Sequence, residues 1–165
     1  MQTIRLSTWV NAPVERCFRL AACVELTEAA LGRRRAQSAD GMERGAMAAG
    51  KTVTWRGWYL GRWRRHESLI EVWRPFSYFR SVMVRGSFAQ FEHEHHFAAR
   101  DGGTRIRDEV RFRVPLWSGG RMVEGVVQRY VTRLLRQRNA AIKAAAESEA
   151  WRRYLAGAPG TEASR

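Results

Sequence analysis

The chain has 165 residues, enough for one domain with a sizeable core and too few for two comfortable ones. Hydrophobic residues make up 45% of it, with 7 Trp, 7 Phe and 4 Tyr, which excludes a disordered protein. The formal net charge is +13, almost all of the cations being arginine, and such a surplus suits nucleic acid, an anionic membrane or an acidic partner while saying nothing of fold.

The opening MQTIRLSTWV lacks the charged-then-apolar pattern of a signal peptide, and no stretch approaches the ~18 apolar residues of a membrane span. Cys17 and Cys23 suit neither a disulfide framework nor a zinc site and read as two reduced, buried thiols of a cytoplasmic protein.

Thr3 to Trp9 alternates, with Ile4, Leu6 and Thr8 on one face, and reads as a half-buried strand. Asn11-Ala12-Pro13 ends it and starts a helix, Asn11 serving as cap and Pro13 standing in the first turn. Val14, Phe18 and Ala21 follow at helical spacing, and a second short helix over Val24 to Leu31 is closed by Gly32. A short strand near Arg34 to Ser38 precedes the glycine-punctuated DGMERGAMAAG. Strands are then expected over Lys51 to Leu60, Trp63 to Trp73, Phe76 to Val84, Phe88 to Ala98 and Thr104 to Val114. The turn Arg100-Asp101-Gly102-Gly103 carries a strong hairpin signal between the last two.

The remainder reads as one long helix reaching Arg152 or Tyr154. Met122, Val126, Tyr130 and Leu134 fall on one stripe, with Val123, Val127, Val131 and Leu135 alongside. Arg129, Arg133 and Arg136 occupy a neighbouring face, to which Arg121, Arg138 and Lys143 add charge.

This order defines an α+β fold: a curved antiparallel sheet of about seven strands wrapped around a long C-terminal helix, with two short helices after the first strand. Strands that long curl around the helix and leave room for a cavity. Residues 1–154 are expected to form the single domain, and 155–165, LAGAPGTEASR, a flexible tail.

In FEHEHHF, Phe91 to Phe97, alternate residues share a face. The phenylalanines select the inner one, so His93 and His95 look toward the helix while Glu92, Glu94 and His96 face solvent. With Asp101-Gly102 at the centre of the turn, Arg100 pairs with Gly103, Phe97 with Ile106, and His95 with Asp108. Asp108 then reaches His95 directly and His93 diagonally; a register shifted by two would set it against Phe97. Four readings of this inward cluster stand together. Asp108 and one histidine satisfy each other, since a buried carboxylate needs a partner. The cluster orients a ligand's polar group. It moves protons as an acid/base pair. Or it holds a metal, for which no third inward ligand is evident unless His66 faces inward. No metal and no other cofactor is expected.

Certain pieces resemble the START-like SRPBCC superfamily, the helix-grip fold shared by lipid-transfer domains and bacterial polyketide cyclase/dehydrase-type proteins. They are the strand-Ala12-Pro13-helix opening, Gly50 before VTW, the Arg74-Pro75 turn, RGSF followed by FEHEHHF, the turn GGT, and Asp108 leading to Phe112 and Pro115. The resemblance runs over roughly Thr3 to Ala146 and implies a START-like ligand-binding domain with a cavity between sheet and C-terminal helix. It implies a small hydrophobic or amphipathic ligand, with lipid binding, transport or sensing as the role. Phe91, Phe97, Ile106, Val110 and Phe112 are then expected to line the sheet side. Val123, Val127, Tyr130, Val131 and Leu134 supply the helix side, and His93, His95 and Asp108 orient the polar group. An enzyme of the polyketide cyclase/aromatase or dehydratase type is the first alternative, with His95, Asp108 and His93 as catalytic candidates.

Trp55, Trp58, Tyr59, Trp63 and Trp73 crowd two neighbouring strands, as core and rim packing or as the wall of a cavity for a flat or greasy ligand. Arg33 to Arg35, Arg62, Arg64, Arg65 and the Arg105 to Arg113 face form basic clusters. These read as solvated faces ahead of a surface for RNA, the ribosome or an anionic membrane, since no nucleic-acid-binding pattern accompanies them.

Overall fold

Asp101 and Gly102 both take positive φ, 46° and 78°, the primed turn whose twist matches two antiparallel strands. The turn joins β6 (Gln90–Arg100) to β7 (Gly103–Arg113), and Arg100 lies opposite Gly103, Phe97 opposite Ile106 and His95 opposite Asp108, as the turn arithmetic requires. Gly103 is a packing position: a Cβ there would stand 2.6 Å from the Trp9 ring and 2.7 Å from the Val10 carbonyl oxygen. The structure, a computed structural model, describes residues 1–32, 37–38, 47–59, 62–115 and 120–156.

The remaining elements are β1 (Gln2–Val10), α1 (Val14–Ala21), α2 (Val24–Leu31), β2 (Gln37–Ser38), β3 (Thr52–Tyr59), β4 (Arg62–Arg74), β5 (Tyr78–Arg85), α3 (Gly120–Ala146) and α4 (Trp151–Leu155). The strands form one seven-stranded sheet in the order β1-β7-β6-β5-β4-β3-β2, antiparallel throughout, with β2 a two-residue edge. The long helix α3 lies along the inner face, so the fold is the expected α+β helix grip. Among the described residues no helix is long and apolar enough to cross a membrane. Cys17 and Cys23 are buried free thiols.

Four expectations change. Pro13, not Asn11, stands at the N-cap of α1, and the Asn11 backbone N–H instead donates to Glu147 Oε1 at 2.7 Å. The long helix ends at Ala146 and not near Tyr154. There Ser148 Oγ donates to the Ala144 carbonyl at 2.8 Å, competing with the helical backbone, and α4 turns Trp151, Tyr154 and Leu155 against the core. The Arg16 guanidinium sits 4.5 Å over the Trp151 ring. On α3 the buried stripe is Val127, Val131, Leu135 and Ile142, while Val126 is exposed. Arg138, expected among the surface charges, is buried. The expected strand near Arg34 to Ser38 is seen at Gln37–Ser38; residues 33–36 lie outside the described residues, as do 157–165 of the expected tail, which begins inside α4.

The core is in two parts. One, at the α1/α2 end, gathers Val10, Phe18, Phe97, Ile106 and Ile142. The other gathers Ile4, Val110, Phe112, Val127, Val131 and Leu135. Along β7 the switch occurs at Asp108, between Ile106 and Val110; along α3 it occurs at Arg138 and Asn139, between Leu135 and Ile142. Polar side chains therefore form a layer between two apolar ones.

Candidate functional site

Strand alternation delivers the layer's sheet side. His93 and His95 follow Phe91 on the inner face of β6, and Asp108 faces them from β7. The Asp108 side chain is fully buried, and its Oδ1 lies 2.9 Å from His93 Nε2 and 2.8 Å from His95 Nδ1. The His93 contact is a hydrogen bond; the His95 nitrogen lies off the line of one and is held by electrostatic proximity. The two imidazole centroids are 3.7 Å apart, and His95 stacks on Phe79 at 4.0 Å.

The helix supplies the rest. Asn139 Nδ2 donates to Asp108 Oδ2 at 2.7 Å and lies 3.1 Å from Thr8 Oγ1. The Arg138 guanidinium donates from one nitrogen to the Ala21 carbonyl at 2.6 Å, and its other terminal nitrogen stands 3.8 Å from Asp108 Oδ1. Burial pushes the Asp108 carboxyl up, but the His93 hydrogen bond and the close imidazole of His95 outweigh it and hold the group well below the usual carboxylate range. Burial likewise pushes His93 and His95 down, His95 the further because His93 and Arg138 add positive charge beside it. At neutral pH the layer thus holds Asp108 ionised, both imidazoles neutral, and Arg138 charged.

Beside this layer lies a cavity of about 240 Å³ between β3–β6 and α3. Its apolar wall includes Val53, Trp55, Ile70, Phe79, Phe88, Phe91, Tyr130, Val131, Leu134 and Leu135; its polar groups include Arg64, Arg65, His66, Ser68, Ser81, His93, His95 and Arg138. A register shift between Ile70 and Val72 reverses the alternation of β4, so that His66, Ser68 and Ile70 line the cavity while Trp73 packs on Phe18. His66 sits against Phe88 and Phe91, and burial alone lowers its pKa to about 4.

Of the residues expected at the ligand, Phe91, His93, His95, Tyr130, Val131 and Leu134 line the cavity. Asp108 lies behind His93, one bond removed. Phe97, Ile106, Val110, Phe112 and Val127 are buried in the two cores and do not reach the wall. His66, weighed in the sequence only as a third metal ligand, does face inward, whereas Arg64, Arg65, Arg138 and Asn139 are not among the residues expected at the site. Arg138 had a signal, since it continues the Val131–Leu135 spacing toward Ile142, the pattern of a helix's buried stripe.

His93, His95 and Asp108 have donor atoms within 4.8 Å of one another, and their two nitrogens and one carboxylate suit a transition metal. Here both nitrogens crowd one carboxylate oxygen, at 2.9 and 2.8 Å, and the Arg138 cation 3.8 Å from it opposes a second cation. On the outer face Arg105, Arg107 and Arg113 are exposed, while Arg111 is engaged by Glu109 at 2.6 Å and Glu94 at 3.6 Å. Trp63 is half exposed; the Trp58, Tyr59 and Arg62 side chains and Arg33 to Arg35 lie outside the described residues.

No protein-family model matches the chain, and no curated protein matches its sequence. Solved structures do. TTHA0849 from Thermus thermophilus is similar at 23% identity and TM-score 0.68, over 87% of this chain and 99% of that one. A START superfamily protein from Mycobacterium smegmatis is similar at 12% identity and TM-score 0.66, over 88% and 97%. The di-domain ARO/CYC BexL from the BE-7585A biosynthetic pathway gives 14% identity and TM-score 0.71, over 89% of this chain and 50% of that one. At these identities the likeness establishes the fold, the START-like helix grip, and nothing finer.

Proposed function

We propose that this protein binds a small hydrophobic or amphipathic ligand between the sheet and α3, with His93 at the wall and Asp108 behind it orienting the ligand's polar group. The cavity carries this reading: an apolar wall with a few converging polar groups is the usual form of a small-molecule site. Its volume, about 240 Å³, lies just under the roughly 300–1,000 Å³ of drug-sized pockets, so the ligand is small. Apolar burial, worth ~25 cal/mol per Å², drives binding, and the polar layer fixes orientation. Native mass spectrometry of the purified protein, followed by organic extraction, tests this. A co-purifying small apolar molecule, or uptake of one added in excess, is expected; an unchanged apo mass in both cases contradicts it.

One observation favours a second reading, acid/base catalysis of the cyclase type. His93 is neutral, borders the cavity, and is hydrogen-bonded to an ionised carboxylate, the arrangement by which an imidazole takes up a proton and the carboxylate stabilises the resulting charge. Loss of turnover in His93→Gln and Asp108→Asn with binding retained supports it; normal turnover of a true substrate by both variants removes it.

A further inference from the structure

The polar groups of the cavity share one sign. Arg64, Arg65 and Arg138 line it, together with three histidines, and no aspartate or glutamate does so among the described residues. Arg138 is the most informative of these. It is 7% exposed, and one of its terminal guanidinium nitrogens, buried with the rest, has no hydrogen-bond acceptor. Asp108 does not fill that role: its Oδ1 is taken by the His93 hydrogen bond with His95 beside it, its Oδ2 accepts from Asn139, and 3.8 Å to Arg138 is beyond hydrogen-bond reach. Arg64 repeats the pattern, with a buried Nε that also lacks an acceptor. A buried cationic donor left unbonded is costly, and a guanidinium fork matches a carboxylate in shape as well as charge.

We propose that the ligand is an organic acid, a carboxylate on a small apolar or aromatic body. The acid group meets the free edge of Arg138 beside His93, and the body lies along Trp55, Phe88 and Phe91. The inference rests on the ligand-binding reading above and narrows it to one chemical class. A neutral alcohol of the same body would leave the guanidinium unbonded. An amine would add a cation to a cavity that already holds three arginines.

The test uses matched probes on the full-length protein: decanoate against decanol, and 2-naphthoate against 2-naphthalenemethanol, by isothermal titration calorimetry at neutral pH. In at least one pair the acid is expected to bind about ten- to a hundredfold more tightly than its alcohol, the range for a charge-assisted hydrogen bond. In Arg138→Met, checked for folding by circular dichroism, the preference for the acid over its matched alcohol should disappear. Alcohols binding as well as acids to the unaltered protein would overturn the inference and leave the cavity reading standing. Failure of all four probes would overturn both. The comparison on the unaltered protein decides the matter even if Arg138→Met does not fold.

Discussion

Asn139 donates to Asp108 across the sheet–helix interface, on the carboxylate oxygen that the histidines leave free. This one amide ties α3 to the centre of β7, with Thr8 of β1 alongside. It makes the polar layer a connected network instead of a pair of strand neighbours, and connected networks penalise the loss of any member.

Asn139→Leu should therefore destabilise the protein by about 2–3 kcal/mol, because a buried carboxylate loses a charge-assisted donor. Urea denaturation measures this. A loss under about 0.5 kcal/mol would mean that the interaction is not part of what holds the helix.

Asp108→Asn removes the only carboxylate in ion-pair contact with Arg138 among the described residues and leaves a buried guanidinium uncompensated. Breaking a buried pair from one side costs about 3–5 kcal/mol. The same assay should register a larger loss than for Asn139→Leu, and an equal or smaller one would count against a charged Arg138.

Stability should fall as pH drops from about 6.5 to 4. His66 has a folded pKa of about 4 against an ordinary 6.5, so in this window the unfolded chain takes up a proton that the folded chain refuses. The window costs up to about 3 kcal/mol for His66 alone, and the depressed His93 and His95 act in the same direction. Asp108, held below its ordinary range, adds a further loss only at lower pH. His66→Phe, which keeps an aromatic ring against Phe88 and Phe91, should flatten the slope between pH 6.5 and 4; an unchanged slope would assign the effect elsewhere.

Leu134→Trp places an indole in the cavity from the helix side. Ligand affinity should drop at least about tenfold while stability stays within about 1–3 kcal/mol, the usual range for added core volume. Equal affinity in the variant would place the ligand outside the cavity.

The hairpin was legible in the sequence because its turn is nearly self-specifying. Asp101-Gly102 admits positive φ at both central positions, which sets the register, and the Phe91–Phe97 alternation places His93 and His95 on the inner face. Hence the pairing of His95 with Asp108 follows from the sequence. Arg138 was less legible, because residue type argued for solvent where spacing argued for the core, and a buried arginine needs partners from other elements, here Ala21 and Asp108. His66 could not be assigned a face, because the register shift near Glu71 breaks the alternation that would decide it. Phe97, Ile106, Val110 and Phe112 face inward as alternation dictates, but facing inward does not separate a cavity wall from a filled core; that depends on how closely α1 and α3 approach.

The most direct measurement is a methyl NMR titration of the protein with decanoate or decanol. Shifts are expected to concentrate at Ile70, Val131, Leu134 and Leu135, which line the cavity, with Val10 and Ile142 in the far core nearly unmoved. Shifts confined to exposed methyls such as Val84 and Val126, or none with either compound, would contradict a ligand site between the sheet and α3.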